Sequence, residues 1–184
     1  TFRWNGPDVG YIVCVQPKNY QPLPLPKYDE LSLDKLIEQL ESESHIRTLT
    51  AQRTLLRKSW SKGTAQAVFD FAQDTGRSLR ARIAALFALA QKAPTPASSD
   101  RALQQLVILA EDPSLEPFAL RALGDLSLDL KKESQVEHLA TQLLSSGLSS
   151  SSPRSRVEAM VSAARQRLTA VAPEAASNLG HQDS

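Results

Sequence analysis

Residues 75–92 read TGRSLRARIAALFALAQK, and this stretch decides the class of fold. The predicted helix starts at Ser78, and the residues after it are mostly alanine and leucine, which are strong helix formers. The three arginines Arg77, Arg80 and Arg82 lie only in the first turns of this helix. A helix that lies on a membrane surface carries basic residues along a whole face. We therefore predict that the stretch is a structural building block of a helical protein.

Helical periodicity continues on both sides of this stretch, from residue 31 to about residue 170. The eight predicted helices span about residues 33–40, 45–56, 62–72, 78–92, 99–109, 115–126, 134–144 and 153–170. Ser32 is the expected N-cap of the first helix and Ser98 or Ser99 that of the fifth. Gly147 is expected to end the seventh, and Pro153 suits the first turn of the eighth. Leu86, Phe87 and Leu89 are assigned to packing against neighbouring helices.

The even-numbered helices resemble one another. They read SHIRTLTAQRTLL, SLRARIAALFALA, SLEPFALRALGDL and SPRSRVEAMVSAA, and they start at Ser44, Ser78, Ser114 and Ser152, which are 34, 36 and 38 residues apart. Each carries a small residue near its middle: Ala51, Ala84, Ala119 and Ala159. Helix pairs repeated at this spacing are typical of α-solenoids, and the small residues would let neighbouring helices approach closely. The predicted fold is all-α: a right-handed α-solenoid of about four helix pairs over residues 31–172.

These repeats resemble HEAT repeats, whose second helix often opens with an apolar residue and an arginine after an Asp-Pro-type turn. The pattern is matched at Ile46-Arg47, Leu79-Arg80 and Asp112-Pro113. The third copy departs from it, with Glu116 where arginine is expected, and the fourth fits loosely at Ser155-Arg156. The resemblance concerns architecture, and a fold alone does not determine function. The expected role is a non-catalytic scaffold that binds another protein or domain.

Residues 1–30 differ in character from the helical region. Residues 11–15, YIVCV, predict a short strand, alone or in a hairpin with residues 2–4, and the proline-rich segment QPLPLPKYDE predicts a stiff linker. Residues 1–30 are thus predicted to be an extended arm, and residues 173–184 a frayed tail. The chain begins with Thr1 instead of Met, from which we expect a processed chain or a fragment.

The arm has a resemblance of its own. NGPDVGYIVCVQP, the proline-rich linker and the helix after it are similar to the propeller-to-HEAT junction of secreted, membrane-bound dehydrogenase-like proteins of planctomycetes and verrucomicrobia. In that alternative, Gly10, Ile12 and Val15 belong to the last propeller strand. The chain would then be an accessory segment of a larger propeller and cytochrome c protein, periplasmic or secreted. Otherwise we expect it to be cytoplasmic. This chain contains no propeller or haem motif, so dehydrogenase activity is not transferred to it.

No catalytic or metal-binding motif is recognisable. His45, His138 and His181 lack the spacing of metal ligands, and Cys14 is the only cysteine. The sequence has no G-x-S-x-G nucleophile turn and no glycine-rich phosphate loop. No apolar run is long enough to cross a membrane. We therefore predict that the protein is not an enzyme, uses no cofactor and is not inserted in a membrane. The sequence makes no prediction of its oligomeric state.

The arginines are the remaining candidates for a site. The proposed partner-binding set is Arg47, Arg53, Arg80, Arg82, Arg121 and Arg156. On the stacked second helices of a solenoid they could form an arginine ladder for an acidic partner or for phosphates. The favoured alternative is that each binds carbonyls or acids of the adjoining repeat, such as Glu41, Asp74 or Glu111. Nucleic acid is not favoured as a partner because the net charge is only +1.

Overall fold

The computed structural model describes residues 15–21, 24–93, 96–130 and 134–179, and within these ranges the chain is helical, with no β-strand. The α-helices of these ranges are α1 (Leu33–Glu38), α2 (His45–Arg57), α3 (Lys62–Gln73), α4 (Leu79–Gln91), α5 (Pro96–Leu109), α6 (Glu116–Gly124), α7 (Gln135–Leu148), α8 (Pro153–Gln166) and α9 (Ala172–Leu179). Short 3-10 helices are formed by Tyr28–Glu30, Gln39–Glu41 and Thr169–Val171. The predicted strand lies outside the described residues except for Val15, which has irregular backbone.

Serine residues begin most of these helices, as the sequence predicts. A serine side chain accepts a hydrogen bond from the backbone N–H three residues later at Ser32, Ser61, Ser78, Ser134 and Ser152. This bond satisfies one of the N–H groups that a helix start leaves without a partner. Ser44 precedes α2 without such a bond.

Two predicted helix boundaries were wrong. α5 begins at Pro96, so neither Ser98 nor Ser99 is its N-cap. Ser99 is fully buried, and its hydroxyl donates to the Ala93 carbonyl at 3.1 Å. α7 runs through Gly147 to Leu148, so Gly147 does not end the helix.

The C-terminal end also differs from the prediction. α8 ends at Gln166, and Arg167 after it adopts the left-handed conformation with φ 55°, which reverses the chain. A buried Val171 then precedes α9. Residues 172–179 are therefore helical, although most of them belong to the tail that was expected to fray.

The helices pack in two series. The even helices α2, α4, α6 and α8 contact one another in that order, and so do the odd helices α1, α3, α5 and α7. Each odd helix also contacts the even helix that follows it. Both series contribute buried residues to the core, which consists mainly of leucine and alanine. The small residues predicted at the middle of the even helices, Ala51, Ala84, Ala119 and Ala159, are all buried.

Candidate functional site

Arg82 is the most buried of the six candidate arginines, with 6% of its surface exposed. Its Nε donates to the Ala72 carbonyl of α3 at 2.8 Å, and its Nη2 donates to Asp112 Oδ2 at 2.7 Å. The pKa of Asp112 is lowered by hydrogen bonds from the Ser114 hydroxyl and from Arg82. Arg82 thus joins α3 and α4 to the turn before α6 and is not accessible to a partner.

Three further candidates bind backbone carbonyls. Arg80 donates to the carbonyls of Ser42 and Glu43, at 2.6 and 3.0 Å, in the loop before α2. Arg156 donates to the Ser150 carbonyl at 2.9 Å, and Arg47 donates to the Pro24 carbonyl at 2.9 Å. The favoured sequence interpretation expected such bonds to carbonyls or acids of the adjoining repeat. Only Arg80 among them reaches back to the preceding helix pair.

The other two candidates are less engaged. The side chain of Arg121 is 54% exposed and lies 3.9 Å from Glu158 Oε1. Arg53 is exposed and forms no hydrogen bond or ion pair with the residues that the structure describes. Only Arg80 and Arg121 line the same groove. The structure therefore does not bring the six arginines together as one surface.

The expected acidic partners have other roles. Glu41 accepts a hydrogen bond from the backbone N–H of Ser78 at 3.0 Å. This bond links the 3-10 helix Gln39–Glu41 to the start of α4. Asp74 pairs with Arg77 in its own turn. The pKa of Asp74 is lowered, chiefly because its carboxylate accepts a hydrogen bond from the Gly76 N–H and, next, because of Arg77.

The groove that contains Arg80 and Arg121 lies between α2, α4 and α6 and has a volume of about 460 Å³. We call it the even-helix groove. Its large apolar lining residues, all half-buried, are Leu49, Ile83, Phe87 and Phe118. Its polar lining residues are His45, Thr48, Gln52, Arg80, Gln91, Arg121 and Asp125. Three helices thus contribute both apolar and polar side chains to one concave surface.

The sequence assigned Phe87 to packing between helices, and this assignment is only half correct. Phe87 packs against the core on one side and lines the groove on the other. Ile83 and Phe87 are four residues apart, which places them on one face of α4. This spacing was the only sequence signal for a shared surface. It could not single out Ile83 and Phe87, because Leu86 and Leu89 on the same helix are also large and apolar but are buried.

The chemistry of the groove is suited to binding. Asp125 is engaged by Arg165 at 2.6 Å, and the guanidinium of Arg154 lies 4.3 Å from the centre of the Phe118 ring. His45 is the only histidine of the lining, and no nucleophile is paired with it among the described residues. No three metal-ligating side chains converge in the ranges that the structure covers.

Comparison with known proteins adds no family. No family model matches the chain, and no curated protein or solved structure shows significant similarity to it. Among the helices of the described ranges, none is long and apolar enough to cross a membrane.

Proposed function

We propose that this chain is a right-handed α-solenoid of about four HEAT-like helix pairs that serves as a non-catalytic scaffold, binding another protein in the even-helix groove. The observation that carries the proposal is the wall formed by Leu49, Ile83, Phe87 and Phe118. Clustered apolar side chains that a fold leaves half-exposed are the usual anchor points for a protein partner.

The solenoid part of the proposal is supported by a bond pattern that recurs along the chain. Lys92, just after α4, donates to the Leu56 and Lys58 carbonyls at the end of α2, both at 2.8 Å. Gln166, at the end of α8, donates to the Leu123 and Leu126 carbonyls at the end of α6, at 2.7 and 2.9 Å. Each donor binds two carbonyls at or just after the end of a neighbouring even helix, where backbone acceptors are left over. A repeated link between equivalent helix ends is what stacked repeats require.

The lining of the groove suggests the character of the partner segment. Apolar side chains would fill the space over Ile83 and Phe87, while polar or acidic groups would meet Arg80, Arg121 and His45 at the rim. The carbonyl bonds of Arg80 leave its guanidinium exposed, and Arg121 has only a long contact with Glu158. The arrangement favours an apolar anchor with polar flanks over a uniformly acidic ligand such as nucleic acid, for which a continuous basic surface is needed.

The proposal is tested with two matched substitutions. Phe87→Glu places a charge in the groove, whereas Ile108→Glu places the same charge on α5, where Ile108 is 43% exposed and does not line the groove. Wild-type protein and both variants are immobilised and incubated with extract of the native cells, and the retained proteins are identified by mass spectrometry. Circular dichroism is used to check that both variants remain folded.

The expected result is a partner that wild-type protein and Ile108→Glu retain equally and that Phe87→Glu retains at least tenfold less. A tenfold loss corresponds to about 1.4 kcal/mol of binding free energy. Equal retention by all three proteins would contradict the proposed site. Failure of the wild-type protein to retain any protein specifically would contradict the scaffold function.

A further inference from the structure

A second cavity lies away from the even-helix groove and has a volume of about 420 Å³. It is bounded by the exit of α2, the start of α3, the end of α4 and the second turn of α5. Its lining includes apolar and aromatic side chains, among them Trp60, Ala65 and Leu89. We call it the Trp60 cavity. Trp60 is held in place because its Nε1 donates to the Leu55 carbonyl at 2.8 Å.

The charged side chains that line this cavity are all basic: Lys62, Lys92 and Arg101. Lys62 and Arg101 are exposed and form no hydrogen bond or ion pair with other described residues. Other exposed basic side chains, such as Lys27, Lys35 and Arg77, pair with an acid three residues away, although Arg53 forms no such pair with the described residues. Asp100 precedes Arg101 in sequence but does not line the cavity. The cavity therefore concentrates positive charge without an acid in its wall.

The backbone around the cavity also affects its potential. Helix C-termini contribute partial negative charge, but several of the carbonyls at the ends of α2 and α4 already accept hydrogen bonds. Lys92 and Trp60 donate hydrogen bonds to carbonyls at the end of α2, and the Ser99 hydroxyl donates to the Ala93 carbonyl after α4. The N-terminal end of α3, which begins at Lys62, contributes partial positive charge on the other side.

From this juxtaposition we infer that the Trp60 cavity is a binding site for a small polyanion, a phosphate or carboxylate compound with at least two negative charges. Lys62 and Arg101 would bind its oxygens, and Lys92, which lies 6.0 Å from the centre of the Trp60 ring, would add a third positive charge. The apolar side chains of the lining would limit the access of water to the anion and so strengthen these interactions. The site is independent of the even-helix groove, since the two share no lining residue.

The fluorescence of Trp60 gives a direct readout. Trp4 is the other tryptophan of the chain, so binding is measured in a Trp4→Phe background, where the emission comes from Trp60 alone. Pyrophosphate and citrate are titrated separately in low salt, which distinguishes a phosphate site from a carboxylate site. The test variant is Lys62→Gln/Arg101→Gln. The control is Lys27→Gln/Lys35→Gln, which removes the same charge from residues outside the cavity.

The inference predicts a saturable change in emission with at least one of the two anions. The cavity variant should bind at least tenfold more weakly, while the control should bind within twofold of the parent. No saturable response to either anion up to 10 mM, about the weak limit for a specific small-ligand site, would overturn the inference. Equal loss of affinity in the cavity variant and the control would also overturn the inference. Such a result would indicate nonspecific attraction of the anion to the protein's positive charges.

Discussion

Two regions of the molecule differ in how their side chains are engaged: one is the seam between neighbouring helix pairs, and the other is the even-helix groove. By the seam we mean the contacts that join neighbouring helix pairs through Arg80, Arg82, Glu116 and Gln166. In the seam, polar side chains are bonded to carbonyls, carboxylates or hydroxyls, and Arg82 is almost fully buried. In the groove, large apolar side chains remain half-exposed. Residue type alone therefore does not show whether an arginine has a structural role. The acceptors to which its guanidinium donates show this.

The largest expected effect is on the seam at Arg82. Arg82→Met keeps the apolar part of the side chain but leaves the Ala72 carbonyl and Asp112 without their partner. We expect a loss of about 2 to 3 kcal/mol in the free energy of unfolding, somewhat below the usual value for a broken buried pair because Asp112 is partly exposed. Urea denaturation measures the change. A loss below about 0.5 kcal/mol would show that the seam does not depend on this residue.

The next effect concerns the close packing of α7 against its neighbours. A Cβ atom on Gly147 would lie 2.7 Å from the Leu120 methyl groups and 3.0 Å from Ala159 Cβ. Gly147→Val should therefore destabilise the protein by about 2 kcal/mol through overpacking. Gly63→Val is the control, since a Cβ there would meet only Ser61 Oγ at 3.6 Å. Equal effects of the two substitutions in thermal unfolding would contradict the packing described for α7.

A smaller effect is expected at the seam between α6 and α8. Glu116 accepts hydrogen bonds from the Ser150 and Ser155 hydroxyls, at 2.8 and 2.7 Å, and Ser155 is fully buried. Glu116→Met leaves a buried hydroxyl without its acceptor, so we expect a loss of about 1 to 2 kcal/mol. The exposed Glu111 gives the control Glu111→Met, which should change stability by less than about 0.5 kcal/mol. Equal losses in the free energy of unfolding for the two variants would contradict the role described for Glu116.

The seam should also respond to acid. The folded-state pKa of Asp112 is lowered, so its contribution to stability is complete above the unfolded pKa of about 3.9 and disappears as the pH falls through the folded value. We expect the melting temperature to fall below pH 4 and the fall to be shallower in Asp112→Asn. Parallel pH curves for wild-type and variant protein between pH 4 and 2 would contradict the role of Asp112.

The smallest effect is expected at Arg53, which is exposed and has no partner among the described residues. Arg53→Met should change the free energy of unfolding by less than about 0.5 kcal/mol. Urea denaturation of Arg53→Met and Arg82→Met compares the same substitution at an exposed arginine and at a buried one. A loss as large as that of Arg82→Met would mean that burial does not separate the two arginines.

The sequence predicts best what local bonds determine. The cap at Ser32 depends on an N–H three residues away, and it is found. Gly147 was misassigned because its environment is set by Leu120, which is 27 residues earlier in the chain. The partners of Arg82 are likewise contributed by other elements, so the sequence could name the arginine but not its burial. The even-helix groove could not be derived for the same reason, since three separate helices build it.

The central claim, that the even-helix groove binds a partner protein, is tested most directly by hydroxyl-radical footprinting with and without the partner that the wild-type chain retains. Phe87, Phe118, Ile83 and Leu49 should become protected from oxidation in the complex. Ile108 on α5, which is exposed and outside the groove, should react equally in both states. Protection of Ile108 with unchanged reactivity of Phe87 and Phe118 would contradict the claim.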